Sequence, residues 1–415
     1  MNNNCQYFVK RKKRFCRMTV KTGHKYCGEH EQSNENLEEK RIPCPLDNKH
    51  TCFASKLTKH LKVCNAKIDV LPPYIKKNFN AEKIIETSGN YVEQTSERFL
   101  SKAPIEDVKN VLTKISQVYN AVIKGKINEK ILDYELLTNE ILNPEFGFTT
   151  KKHLTQTSSI LGHLQNAELL KPNTSFIEFG AGKGKLSFWL AKSTENISDT
   201  SIVLVDKASH RHKMDNKLKI ENCSAQERIH RIRGDILDLD LSQIDVIRKS
   251  KHVIGLTKHL CGVATDYAMR CLENLHKDCN NVTGILMSFC CHHRCLWRDY
   301  VGKQFLLKND FSPQEFDIMC GVVSWATSGV GMSKEKRKEL EELSQKSLSS
   351  TTVEFDRNKE LGLSRDEKTE YGKMAKLLLD YGRMEFLKSL GFNCYLYYYV
   401  KPEISLENVL IVATK

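Results

Sequence analysis

The sequence is poor in several things, and each shortage excludes something. No stretch approaches the ~18 consecutive apolar residues that a membrane span requires, so no membrane partner is expected. The opening, MNNNCQYFVKRKKR, lacks the apolar centre of a secretory leader, which sets the expectation of an intracellular protein in cytoplasm or nucleus. Acidic residues are in deficit, 51 against 64 Lys and Arg, and the resulting +13 argues for a polyanionic partner. An even cysteine count is also missing. Fifteen thiols without a leader fit a reducing compartment, where cysteine binds metal, reacts or fills cores, better than a disulfide framework. What is present is globular in balance, 40% hydrophobic and 28% charged over 415 residues, a length that suggests about three domains at ~150 residues each.

The basic excess is concentrated. Residues 1–64 hold 14 Lys and Arg against 6 Asp and Glu, interleaved with Cys and His. Cys5, Cys16, Cys27 and His30 are spaced C-x10-C-x10-C-x2-H, a Cys3His set able to close a zinc tetrahedron, with His24 as a competitor for the last position. Cys44, His50, His60 and Cys64 follow as C-x5-H-x9-H-x3-C, with Cys52 as a spare thiol. His60 and Cys64 are four apart, one face of a helix. A segment this short has too few large apolar side chains to fold unaided, so two structural zinc ions are expected, in modules at 1–32 and 41–66. Lys10, Arg11, Lys12, Lys13 and Arg14, flanked by Phe8 and Phe15, suit phosphate attraction with base stacking, and equally a nuclear localisation signal.

The acidic stretch 31–40 reads as a hinge, and 67–150 as a mainly helical connector. Val108, Val111, Leu112, Ile115, Val118 and Val122 follow helical periodicity, and EKILDYELLTNEIL (129–142) reads as a second helix. From 151 the pattern changes to strands alternating with helices, the mark of a doubly wound α/β sheet whose ligand lies at the strands' carboxyl ends. Phe176, Ile177 and Phe179 make a buried strand that runs into Gly180, Gly182 and Gly184 and then a helix. Such a glycine turn occurs in nicotinamide enzymes too. Glu178 just ahead of it makes the pattern E-x-G-x-G-x-G resemble the first motif of class I methyltransferases, which bind S-adenosylmethionine. Asp206 ends a second strand (201–206), where an acid meets ribose hydroxyls, and Asp235 follows a third, near an expected adenine. HVIGLTKHLCG (252–262) and TGILMSFCCHHRC (283–295) read as strands four and five, and 393–400 with 409–415 as a closing hairpin.

Taken together, the Cys3His and Cys-His-His-Cys modules, IEFGAGKGKLS, TKHLCGVATD, SFCCHHRC and YGKMAKLLLDYGR resemble the eukaryotic tRNA ribose 2′-O-methyltransferase family that modifies nucleotide 4 of the acceptor stem. The resemblance covers nearly the whole chain in order. The charged insert near 332–352 departs from it and reads as a solvated helix or loop. The resemblance implies methyl transfer from S-adenosylmethionine to a ribose 2′-hydroxyl in tRNA. On position, Lys258 and His259 are the candidates for handling the hydroxyl proton, with Asp266 orienting either. Cys290, Cys291, His292, His293 and Cys295 suggest a third zinc site, but neighbouring residues do not easily share one ion, and a shaped RNA-facing loop is the preferred reading. Lys373 and Arg383 are read as a phosphate clamp on one helical face. The rival reading is a non-catalytic zinc-finger RNA-binding scaffold.

Overall fold

The computed structural model describes residues 4–9, 14–20, 23–27, 30, 41–64, 66–67, 71–82, 100–210, 213–221, 227–327 and 360–415. Lys10, Arg11, Lys12 and Lys13, the hinge 31–40 and the insert 332–352 lie outside the described residues. Two compact units divide the chain, Met1–Pro72 and Pro73–Lys415.

In the first unit, β1 (Phe8–Val9) pairs antiparallel with β2 (Arg14–Phe15). A second hairpin joins β3 (Arg41–Cys44) to β4 (Asp47–Phe53), and α1 (Leu57–Val63) follows. Among the described residues, the apolar core around Cys5, Cys16 and Cys27 gains Val9 and Val20 from partly buried neighbours.

The second unit begins with helical elements. Its helix α2 (Ile105–Val118) buries Val108, Val111, Leu112 and Ile115, as the periodicity predicts, and passes into a π-helical turn at Tyr119–Ile123. The expected second helix over 129–142 is not one element. Asn128–Glu129 is an edge strand, β5, and only Thr138–Leu142, α3, is α-helical. Tertiary bonds hold the stretch between them in place: Lys130 N–H donates to Tyr398 O (3.1 Å) and Tyr134 N–H to Ser158 Oγ (2.7 Å). Helix α4 (Phe148–Asn166) runs across the expected boundary at 150.

Then come β6 (Thr174–Phe179), α5 (Lys185–Ser193), β7 (Thr200–Asp206), α6 (Met214–Glu221), β8 (Ile229–Arg233), α7 (Asp245–Lys249), β9 (His252–Cys261), α8 (Val263–Cys279) and β10 (Val282–Cys290). The chain closes with α9 (Lys303–Lys308), α10 (Pro313–Thr327), α11 (Arg365–Ser389), β11 (Asn393–Tyr398) and β12 (Val409–Thr414). Strand five thus stops at Cys290, and His292–Arg294 form a short 3-10 turn rather than its continuation.

The strands form one sheet in the order β5-β11-β12-β10-β9-β6-β7-β8. Pairs from β10 to β8 are parallel, while β12 runs antiparallel to both β10 and β11. This order and the single reversed strand make it a class I, Rossmann-like methyltransferase sheet. Both faces are covered, so alternate residues of one strand enter different cores. Ile177 and Phe179 belong to the core that holds residues of α2, α8 and α11, whereas Phe176 belongs to the one with α4 and α5. The chain leaves β6 toward β7 on one side and has β9 on the other, which opens a crevice at their carboxyl ends, the topological switch point. Among the described residues, no helix is long and apolar enough to cross a membrane.

Candidate active site and metal centres

The eight expected zinc ligands converge in two sets of four. In each, the donor atoms lie within 4.8 Å of one another. Tetrahedral zinc with Zn–S of ~2.3 Å and Zn–N of ~2.0 Å has edges of about 3.8 Å between sulfurs, 3.5 Å between sulfur and nitrogen and 3.3 Å between nitrogens. In the first set, Cys16 and Cys27 sulfurs are 3.9 Å apart, and His30 Nδ1 is 3.5 Å from Cys5 and 3.3 Å from Cys27. In the second, Cys44 and Cys64 sulfurs are 3.6 Å apart and the Nε2 atoms of His50 and His60 3.2 Å. His50 turns its other nitrogen toward Asp47 (3.6 Å), the usual partner that fixes a ligating ring. Both donor sets fit zinc in chemistry and size. His24 and Cys52 stand outside them.

At the switch point, Gly180, Gly182 and Gly184 all have positive φ (66°, 54° and 74°), which glycine adopts without a Cβ clash. A Cβ on Gly180 would come within 2.9 Å of Leu260 Cδ1, so the turn is closed to other residues on space as well. Asp206 at the end of β7 accepts from Gly182 N–H (2.7 Å) and Ala208 N–H (2.8 Å), and thereby holds the glycine turn against the neighbouring strand. Asp235 caps the short turn after β8 through Leu237 N–H (3.1 Å) and pairs with Lys207 (2.5 Å). The glycines, Asp206 and Asp235 thus line one edge. Glu178 does not project onto it. Its carboxylate is buried and accepts from the backbone N–H (3.0 Å) and the hydroxyl of Ser187 in the first turns of α5, tying β6 to that helix. Burial raises its pKa against the opposing pull of Ser187, Lys258 and Arg231.

Beside this edge, β9 presents Lys258 and His259. Lys258 is 8% exposed, with Nζ 3.3 Å from Thr157 Oγ1 and 3.5 Å from His153 O. Burial lowers its pKa to about 8; Glu178 opposes the shift and Lys185 adds to it. His259 is lowered to about 4 by burial, then by Lys258 and His153, and is therefore neutral at pH 7. Its Nε2 lies 3.3 Å from Gln156 Oε1. With N–H on Nε2 donating to that oxygen, Nδ1 is the acceptor. A cleft of about 220 Å³ reaches Lys258 and is lined by His153, Thr157, Lys185, Phe188 and Trp189 among others.

Asp266 and Arg383 have a different place from the one expected. Asp266 is fully buried in the first turn of α8 and accepts two hydrogen bonds from Arg383, at 3.1 and 2.8 Å. It therefore orients neither Lys258 nor His259. Arg383 also lies 3.1 Å from Cys295 Sγ and over the rings of Phe289 and Tyr300. Lys373 is exposed and pairs with Glu370 (2.7 Å). Ten helical residues turn through roughly 1000°, which leaves these two side chains ~80° apart, so no clamp forms. His292 donates to buried Asp380 at 2.6 Å and faces the interior. Sequence reasoning missed Gln156 and Thr157. Their signal was the polar run Gln156–Ser159 inside a helix, every member of which is buried.

Three family models cover most of this arrangement. “CCCH zinc finger in TRM13 protein” matches residues 3–31, “U11-48K-like CHHC zinc finger” residues 41–65, and “Methyltransferase TRM13” residues 155–414. The chain belongs to the TRM13 methyltransferase family. A human relative named tRNA:m(4)X modification enzyme TRM13 homolog is 35% identical, over 99% of this chain and 94% of that one. The Scheffersomyces stipitis protein named tRNA:m(4)X modification enzyme TRM13 is 32% identical, over 97% of this chain and 98% of that one. The SAH-bound methyltransferase PaMTH1 of Podospora anserina aligns with a TM-score of 0.30 at 11% identity, over 73% of this chain and 96% of that one, a looser likeness on which the assignment does not rest. As a TRM13 methyltransferase the protein uses S-adenosylmethionine and carries zinc-finger modules. Its glycine cradle and paired acids suit that cofactor: Gly182 has no atom within 4 Å of where a Cβ would stand, so a ligand can approach the backbone closely.

Proposed function

We propose that the protein methylates the ribose 2′-hydroxyl of nucleotide 4 in the acceptor stem of tRNA. Support for tRNA and for position 4 comes from the names of the relatives. Support for a hydroxyl acceptor comes from one observation, the buried Lys258 amine, with a pKa of about 8, in the wall of a cleft that also takes in Lys185 at the start of α5. S-adenosylmethionine supplies a methyl group on a positively charged sulfur. A ribose hydroxyl is a weak nucleophile at neutral pH and must lose its proton as its oxygen attacks. Lys258 in its neutral form takes that proton on Nζ. His259, with a pKa of about 4, is too weak a base to retain it, and instead offers Nδ1 as a fixed acceptor that orients the hydroxyl. Gln156 fixes the ring. The backbone of Gly180, Gly182 and Gly184 and the carboxylates of Asp206 and Asp235 bound the cofactor's site, and Glu178 supports it by tying β6 to α5.

An acceptor stem is A-form, with its 2′-hydroxyls in the shallow minor groove and its major groove closed to side chains. Recognition then rests on phosphates and shape, to which the basic zinc-finger segment and the lysines of the cleft, Lys185, Lys192 and Lys217, contribute. The test is to incubate the full chain with tritiated S-adenosylmethionine and unmodified tRNA, then locate the label by alkali resistance and mass spectrometry. Label on the ribose of nucleotide 4 supports the reading. Label on a base or another position overturns it, and no label with no cofactor bound favours the scaffold alternative.

A further inference from the structure

The active edge carries a group of thiols that the proposed transfer does not use. β9 and β10 are neighbours in parallel register, and their last paired residues are Cys261 and Cys290. The two sulfurs are 3.6 Å apart, close to the ~3.8 Å edge of a zinc–thiolate tetrahedron. Cys291 should point to the opposite side, because successive strand residues alternate. It does not. Its backbone is left-handed, φ 55° and ψ 42°, a conformation that a residue with a Cβ seldom adopts. That turn brings the third sulfur to the same place, so all three lie within 4.8 Å of one another. Gly262 N–H donates to Cys290 O (3.0 Å) and locks the two strand ends together.

Two other ligand-type residues of the Cys-Cys-His-His-x-Cys stretch are committed elsewhere, while His293 stays exposed on the Cys261 side. His292 is committed to Asp380 (2.6 Å) and Cys295 to Arg383 (3.1 Å), so neither competes for the place where the three thiols meet. A disulfide would need two sulfurs and no strained third. Cys261 is exposed, whereas Cys290 and Cys291 are partly buried, so the group is open on one side.

We propose that Cys261, Cys290 and Cys291 form a third metal site, which takes zinc through three thiolates and leaves the fourth position to water or another exchangeable ligand. Three soft sulfurs select a d10 cation of this kind over hard cations such as magnesium. The site differs from the two zinc-finger modules in being open. Cys261 is two residues beyond His259, whose carbonyl oxygen faces Gly180 at 3.5 Å from the position of a Cβ there. Metal at this point pins the ends of β9 and β10 to each other and holds the segment bearing Lys258 and His259 against the glycine turn.

The experiment measures zinc per chain by inductively coupled plasma mass spectrometry on full-length protein purified without chelator. Three zinc ions per chain are expected, falling to two in Cys261→Ser and in Cys290→Ser and staying at three in Cys279→Ser, which lies outside the group. Two in the wild type, or no loss in Cys261→Ser, overturns the proposal. Should the variants fail to fold, alkylation of the native wild type decides. Peptide mapping that shows Cys261 protected until a chelator is added supports the site. Free labelling of Cys261 despite bound zinc, or a Cys261–Cys290 disulfide in its place, overturns it.

Discussion

The two units of this chain solve the same problem by different means. Among the described residues of Met1–Pro72 the most buried apolar side chains are cysteines, and little but Val9 and Val20 surrounds the first set. In Pro73–Lys415 a sheet buried on both faces supplies two large cores, one with α2, α8, α10 and α11 and one with α4 and α5. Where apolar surface is scarce, metal–ligand bonds have to replace it. Where it is plentiful, the interior can bear the cost of burying charged groups, and it does so at Glu178, Lys258, Asp266, Asp380 and Arg383. The difference also separates the functions. The small unit needs its polar groups to stay folded, while the large one can use burial to change what its polar groups do.

The largest effect expected from this contrast is loss of metal. Structural zinc contributes about 10–16 kcal/mol of apparent binding energy in zinc-finger peptides, energy that is not available to the apo chain. A strong chelator, or Cys27→Ser together with Cys64→Ser, should unfold the first unit and leave the second folded. Hydrogen exchange read segment by segment checks this. Retained protection over 41–64 after zinc removal would break the comparison.

A smaller effect is expected inside the second unit. Asp266→Ala takes the bidentate carboxylate from buried Arg383 and leaves it only the more distant Asp380 (3.7 Å), and breaking such a buried pair costs about 3–5 kcal/mol. Urea unfolding should show that loss. The double change Asp266→Leu with Arg383→Met should recover part of it, since both charges of that pair are then gone while Asp380 keeps His292 (2.6 Å). A variant of unchanged stability and reduced turnover would instead return Asp266 to the catalytic role.

The smallest effect is a slope. Lys258 faces Glu178, Lys185, His153 and His259, and its pKa of about 8 means that the amine is mostly charged at pH 7. Only the neutral amine accepts a proton. Turnover should therefore rise up to tenfold per pH unit below about 8 and level off above it, a change of about 1.4 kcal/mol per unit. Single-turnover rates from pH 6 to 9.5 check the slope, and Lys258→Met should remove it together with a 10²–10⁴-fold loss of rate. A flat profile with wild-type enzyme would show that burial in the large core has not tuned this residue for the reaction.

Legibility in the sequence followed the range of the interactions. The two sets of four donors that the structure brings together could be read from residue type and order, helped by two short chelate pairs, Cys27 with His30 and His60 with Cys64. The carboxyl edge of the sheet could be read as well, because a buried strand ending in glycine or aspartate marks its own carboxyl end. Errors arose where a residue's partner lay far along the chain. Asp266 meets Arg383, which is 117 residues away, and nothing in the pattern of α8 or α11 announces that pairing. Helical periodicity suggests which residues share a face, yet it leaves open which face is buried. The stretch after β5 looked helical by composition, and hydrogen bonds to Tyr398 and Ser158 overrode that preference.

By itself, then, the sequence determined the order of modules, the donor sets for zinc, and the glycine turn with its acids, since these depend on residue type and short spacing. Tertiary structure alone decided which charges are buried. It turned Glu178 and Arg383 inward and set Lys258 at the cleft. It also brought Cys261 to Cys290 and Cys291. Burial and long-range pairing depend on which strands become neighbours in the sheet, and that order comes from packing whole elements together, not from the local sequence of any one of them.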